Sequence, residues 1–163
     1  MGSTNYKLAL RSSLDETSKL IAFVEEISDD YNINNNYFGN ILVALSEAVE
    51  NAIVHANKLN NTKKVFIEFS SSQAGLSFKV TDEGEGFNLD EIPDPTEVKN
   101  DEKRGRGVYL IKKLTDNVDY NNESHTLELT FKISSINKEL SSKRASLLKQ
   151  YEQESVDKLI NNN

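Results

Sequence analysis

Val65, Ile67 and Phe69 recur at every second position, and so do Leu76, Phe78 and Val80. A period of two puts each trio on one face of a strand. Ser71-Ser-Gln-Ala-Gly75 lies between them and has the composition of a turn, so the two strands are predicted to close an antiparallel hairpin. This is the tightest constraint in the chain, because a hairpin with one apolar face is stable only when something covers that face.

The flanking segments offer the cover. Tyr6, Leu8 and Leu10 alternate with Lys7, Ala9 and Arg11 and suggest a first strand. Ser13-Leu-Asp-Glu16 reads as a capping box, followed by Leu20, Phe23, Val24, Ile27 and Tyr31 at helical spacing. An Asn-rich break spans Asn32 to Asn36. A long helix is then predicted from near Tyr37 to near Leu59, with Ile41, Leu42, Leu45, Val49, Ala52, Ile53 and Ala56 as its apolar stripe. Val108 to Leu114 also looks helical. Val118 and Tyr120, with Leu127, Leu129, Phe131 and Ile133, predict a closing hairpin. Phe66, Phe69, Phe78 and Phe131 are assigned to the core.

The resulting fold class is α+β: a two-layer sandwich with a mixed, mostly antiparallel sheet and helices on one face. Residues 5–134 are expected to form the domain. Residues 135–163 form a charged, helix-favouring tail. Its thin apolar stripe (Leu140, Leu147, Leu148, Tyr151, Leu159, Ile160) is expected to pack back on the sheet or meet a partner, with a partly frayed charged helix as the alternative.

Composition narrows the function. The 163 residues suit one domain. The absence of cysteine excludes disulfides and thiolate metal sites, and two histidines leave no basis for a multi-histidine centre. A formal charge of −7 brings no general counterion-release attraction to nucleic acid, so direct nucleic-acid binding is not expected. No run approaches the roughly 20 apolar residues of a membrane span. The first residues carry no basic segment followed by an apolar stretch. A cytoplasmic protein is expected, with a protein partner or a metal-neutralised anion as ligand.

Three segments carry chemistry. Glu47, Asn51 and His55 are spaced by four and, at about 100° per residue, form one helical stripe. A solvated face is the plain alternative, but Val43, Ala44 and Val54 lie on the same side, as in a pocket floor with a few aimed polar groups. The carboxamide oxygen of Asn51 is a neutral hard ligand suited to Mg²⁺, and Glu47 is placed to orient or deprotonate an attacking group. Second, Asp82-Glu-Gly84-Glu-Gly86 directly follows a strand. Asp82 can accept from an exocyclic amine, and the glycines permit close approach of a flat ligand, where an acidic turn is the alternative. Third, Lys103-Arg104-Gly105-Arg106-Gly107 precedes a helix, at whose start free N–H groups and cations attract phosphate, where a flexible basic loop is the alternative. Between the last two segments, periodicity is lost over a stretch long enough to be a lid.

Singly these are weak signals. In this order and context they resemble the GHKL ATP-binding superfamily of gyrase, mismatch-repair, heat-shock chaperone and histidine kinase ATPases. Glu47 to Asn51 looks like its N-box, Asp82 to Gly86 its first glycine box, and Gly105 to Gly107 its second. Leu45-Ser-Glu-Ala-Val-Glu-Asn51-Ala-Ile-Val-His55 is most similar to bacterial anti-sigma factor serine kinases, over a span from about Tyr6 to Ile133.

The resemblance implies a protein serine/threonine kinase using ATP and Mg²⁺. In it, Glu47 is the general base, Asn51 the Mg²⁺ ligand and Asp82 the adenine-amine acceptor. Gly84 and Gly86 border the base, and His55 is a packed or phosphate-side polar residue. Gly105 and Gly107 meet the phosphates, with Lys103, Arg104 or Arg106 near the terminal one. It further implies a small antagonist protein as Ser/Thr acceptor, a sigma factor as a second partner, and a homodimer. A non-catalytic ATP-binding partner-switching module and an ATPase or histidine kinase-like catalytic domain are the alternatives. Two departures stand out: the last hairpin reads Ser124-His125-Thr126 where the family usually has Gly-Thr before its final strand, and the basic run before Gly105 does not match the family's lid closely.

Overall fold

The computed structural model describes residues 6–73, 75–86, 103–132 and 138–161, with 103–106, 138–143, 156 and 158–161 as backbone alone. Most of the expected lid, and Ile133, lie outside the described residues.

Strand β1 (Tyr6–Arg11) leads through a short 3₁₀ turn (Leu14–Glu16) into α1 (Thr17–Asp30). Ser13 caps this start, its Oγ accepting from the Asp15 N–H at 3.3 Å. The expected reciprocal bond from Glu16 is not made. Glu16 is 97% buried against β1 instead, and its carboxylate accepts from the Arg11 N–H at 3.2 Å, the Arg11 guanidinium at 3.0 Å and the Lys19 ammonium at 3.0 Å, because two cations solvate a buried carboxylate better than one amide. These bonds, first the one from Lys19 and then those from Arg11, hold its pKa down at about 2.

Helix α2 (Asn35–Asn51) starts at Asn34, whose side chain accepts from the Tyr37 N–H at 3.0 Å. It then widens into a π-helical segment, Ala52–Ala56. Strands β2 (Lys64–Ser72) and β3 (Gly75–Asp82) form the predicted hairpin, but pairing continues through Ser71↔Leu76 and Ser72↔Gly75, so the connection is shorter than the Ser71–Gly75 loop. Helix α3 (Lys103–Leu114), strands β4 (Asn117–Asn121) and β5 (Thr126–Phe131), and helix α4 (Lys138–Asn161) complete the described chain.

The sheet order is β1-β2-β3-β5-β4, and every described pairing is antiparallel. Its inner face, with Val65, Ile67, Phe69, Leu76, Phe78, Val80, Leu127, Leu129 and Phe131, packs against Leu20, Val24 and Ile27 of α1 and Ile41, Leu45 and Val49 of α2 in one core. Aromatic rings run through it from Tyr6 and Tyr31 to Phe69, Phe78 and Phe131, edge to face except for the tilted Phe69–Phe78 pair. Phe66 is not part of it: it is 42% exposed on the other face, as its alternation with Val65 and Ile67 demands. Helix α4 lies on α2 rather than on the sheet, with Leu147, Leu148 and Tyr151 half-buried against the core.

Candidate functional site

The first two segments meet where α2 ends. Past Asn51 the Ala52 carbonyl accepts from the Asn57 N–H at 2.8 Å, five residues on, and the turn widens. Half-buried His55 lies within this widened turn.

The cause of the widening is Asn57, which is 1% exposed. Its Nδ2 donates to Ser12 Oγ at 2.9 Å and to the Lys64 carbonyl at 3.1 Å. Its Oδ1 accepts from the Glu83 N–H at 3.1 Å. One buried amide thus joins the end of the helix to the end of β1, the start of β2 and the turn after β3. Sequence reasoning missed it. An Asn just past a helix end is ordinary, and its partners are distant in sequence.

That turn is pressed against the π-helical segment. A β-carbon on Gly84 would fall inside the Ala56 carbonyl and 2.9 Å from the Asn57 nitrogen. Gly86 has φ +75°, and a β-carbon there would come within 2.5 Å of the Tyr120 hydroxyl. Both positions exclude side chains for reasons of space, conformation or both. Asp82 closes β3, 95% buried, and its Oδ1 accepts from the Gly84 N–H at 3.0 Å. Burial pushes its carboxyl above the ordinary range, and the Gly84 hydrogen bond and the His125 imidazole pull it back.

His125 is the first departure noted above, and it is no plain surface residue. Its Nδ1 lies 3.4 Å from Asp82 Oδ1, and its carbonyl accepts from the Asp82 N–H at 3.2 Å. Its φ of +52° is the left-handed conformation that glycine adopts freely, so the turn keeps the geometry of a glycine while presenting an imidazole to Asp82. The next residue, Thr126, meets Thr81 hydroxyl to hydroxyl at 2.8 Å.

The third segment differs from expectation in register. Helix α3 begins at Lys103, so Gly107 lies a full turn inside it rather than at its opening. In a regular helix from Lys103 the N–H of Gly107 is already paired, and what Gly107 offers is its missing side chain. A β-carbon there would stand 2.7 Å from Glu47 Oε2 and 3.8 Å from Asn51 Nδ2. Glu47, Asn51 and Gly107 therefore converge. The side chains of Lys103, Arg104 and Arg106, and the surroundings of Gly105, lie outside the described residues.

Asn51 is 95% buried, and its Nδ2 has no hydrogen-bond partner among the described residues. A buried carboxamide with an orphaned end costs about 1–3 kcal/mol, and such sites persist where a ligand completes them. The two ends of an amide fill nearly the same space, so a half-turn presents the oxygen at the same place. The residues present thus fit a small hard cation beside Gly107. On the far side of this cluster, the Tyr151 hydroxyl of α4 donates to Glu47 Oε1 at 3.2 Å, a contact that nothing in the local sequence announces.

Residues 10–132 match the family model of the histidine kinase-like ATPase domain. The chain is 33% identical over 88 residues to the serine-protein kinase RsbW of Oceanobacillus iheyensis, covering 50% of this chain and 56% of that protein. It is 34% identical over 88 residues to the anti-sigma F factor of Clostridium perfringens, covering 52% and 63%. With the anti-sigma F factor of Bacillus thuringiensis the identity is 36% over 103 residues, covering 60% and 70%. The matched part thus spans little more than half the length of the first of these relatives. Among the described residues no helix is long and apolar enough to cross a membrane. With α2, the Asp82–Gly86 turn and α3 arranged on a five-stranded antiparallel sheet, the chain belongs to the histidine kinase-like ATPase domain family and is similar to its anti-sigma factor and serine-protein kinase members.

Proposed function

We propose that this chain is an ATP- and Mg²⁺-dependent serine/threonine protein kinase of the anti-sigma factor type. It would act on a small antagonist protein and hold a sigma factor as a second partner, as a cytoplasmic homodimer. The observation that carries the proposal is the convergence on Gly107 of the Glu47 carboxylate and the Asn51 carboxamide, whose Nδ2 has no hydrogen-bond partner among the described residues. Gly107 makes room there, and the carboxylate and the carboxamide are the two groups that phosphoryl transfer needs beside it.

In this proposal Asp82 accepts a hydrogen bond from the exocyclic amine of adenine. Gly84 and Gly86 leave the base room to lie against the turn. Asn51 would supply one oxygen to a Mg²⁺ ion, a hard cation that takes few protein ligands. MgATP, when bound, supplies the phosphoryl group with much of its charge neutralised. Glu47 orients the acceptor hydroxyl and takes its proton as the oxygen attacks. His55 and the cations of Lys103, Arg104 and Arg106 are assigned to the phosphate side, with Gly105 leaving room for it.

Calorimetry with ATP and Mg²⁺, followed by incubation of labelled ATP with a co-purified partner, tests this. Wild type binds and transfers label to a Ser or Thr. Asn51→Ala loses Mg²⁺-dependent affinity, and Glu47→Ala binds without transfer. Absence of nucleotide binding by wild type would sink the proposal. ATP-dependent partner capture that survives Glu47→Gln, with no transfer by wild type, would make the chain a binding module instead.

A further inference from the structure

We propose that Tyr151, on the C-terminal helix, is a positioning residue for Glu47. By donating to one carboxylate oxygen it holds the other toward Gly107 and Asn51. The inference rests on Glu47 being the general base.

The two oxygens of Glu47 have different surroundings. Oε1 accepts from the Tyr151 hydroxyl at 3.2 Å, and Oε2 is the atom nearest the open side of Gly107. A glutamate on a helix face samples several rotamers, and only some aim an oxygen at a point one helix away. A bond to one oxygen from a separate element selects among them, and it favours the ionised form that a base requires.

The donor must itself be fixed, and α4 is anchored at two further points. Arg144 is 92% buried, its guanidinium donating to the Thr115 carbonyl at 3.2 Å, the Asp116 carboxylate at 3.0 Å and the Lys113 carbonyl at 3.4 Å. It thereby caps the C-terminal end of α3, where a cation is favoured. One helical turn on, Leu148 packs so closely on α2 that a β-carbon on Gly39 would stand 3.2 Å from its Cδ1. Tyr151 follows three residues later, on the same face as Leu148 and half-buried. A helix anchored in this way presents the hydroxyl as part of the folded domain. It also lies beyond residue 132, where the family match ends, so this support for Glu47 comes from outside the shared domain.

The test uses the full chain as wild type, Tyr151→Phe, Glu47→Gln and the double variant. It measures transfer of label from ATP to the co-purified partner as the turnover, ATP affinity by calorimetry, and the urea unfolding midpoint. Tyr151→Phe keeps the ring and its packing. We expect kcat to fall roughly tenfold with KM and affinity changed less than about twofold, because orientation is lost and binding is not. In the Glu47→Gln background the same change should add nothing to the loss of turnover. The destabilisations of the two single variants should be less than additive in the double, the signature of a direct contact. An additive unfolding cycle, an undiminished kcat, or a kcat that rises because the helix shields Glu47 would each overturn the inference. Inactive Glu47→Gln beside fully active Tyr151→Phe would overturn it alone. Glu47→Gln that turns over ATP like wild type, or a wild type with no turnover, would overturn the base assignment and this inference with it.

Discussion

Gly84 lies directly on the carbonyl of Ala56, so close that a β-carbon would occupy the space of that oxygen. Both sides of the contact are backbone, and neither yields as a side-chain tip would. Gly84→Ala should therefore separate the Asp82–Gly86 turn from the end of α2. Its cost falls at the upper end of the roughly 1–3 kcal/mol typical of overpacking. Urea denaturation reads the stability, and calorimetry should show ATP binding weakened in the folded variant. A variant with wild-type stability would show that the two segments are not in contact.

Asn57 joins the same two segments by hydrogen bonds, and its loss should be felt at the site without touching it. Asn57→Ala removes the donor to Ser12 and Lys64 and leaves the Glu83 N–H without its acceptor. Buried groups left unpaired cost more than the bonds themselves contribute, so about 2–4 kcal/mol is expected. The π-helical segment should relax as well. Amide exchange at Asn57, whose N–H bonds to Ala52, should accelerate more than exchange in the centre of α1.

The sheet was readable because its pattern is local. Alternating residues name the inner face of β2, β3 and β5, and exposed Phe66 was legible from the same alternation, although its aromatic character suggested the core. The three chemistry-bearing segments were readable for their residue types and order. What was not readable is set by distant partners. The widening after Asn51 is dictated by Asn57, whose partners include Ser12, 45 residues away. His125 meets Asp82 only through the register that pairs Thr81 with Thr126. Tyr151 and Glu47 are 104 residues apart, and no periodicity connects them.

Glu16 predicts an acid limb of stability. Its folded pKa of about 2 lies below the ordinary value of 4.5. Such a group stabilises the fold fully above its unfolded value and loses that contribution as pH falls from 4.5 towards 2, because the unfolded chain takes up the proton first. Glu16→Gln keeps the shape and removes the titration. Its unfolding midpoint should be lower than that of wild type near pH 6, and the gap should narrow as pH falls below 4.5 and close only towards 2. A gap independent of pH would show that packing, not the ion pairs with Arg11 and Lys19, is what Glu16 contributes.

Asp82 has the opposite sign. Burial raises its folded pKa, so its contribution to stability is complete below the ordinary carboxylate value and is lost as pH rises through the raised one. At neutral pH the buried charge is thus a cost to the empty protein. That cost is offset when a donor arrives, because a hydrogen bond to the ionised form favours it. If adenine supplies the donor, ATP affinity should be highest at neutral pH. It should fall as acid protonates Asp82, starting at a higher pH than an exposed aspartate would show. Below that pKa each unit of pH should cost about tenfold in affinity. Asp82→Asn is neutral at every pH and can still accept from Gly84. It should be more stable than wild type at pH 7 yet bind ATP more weakly there, and its affinity should lose the acid-dependent step. Thermal unfolding and calorimetry on the same two proteins across pH 4 to 8 separate the effects. A variant both less stable and unchanged in ATP affinity would remove Asp82 from the site and make its carboxylate a purely structural partner of Gly84 and His125.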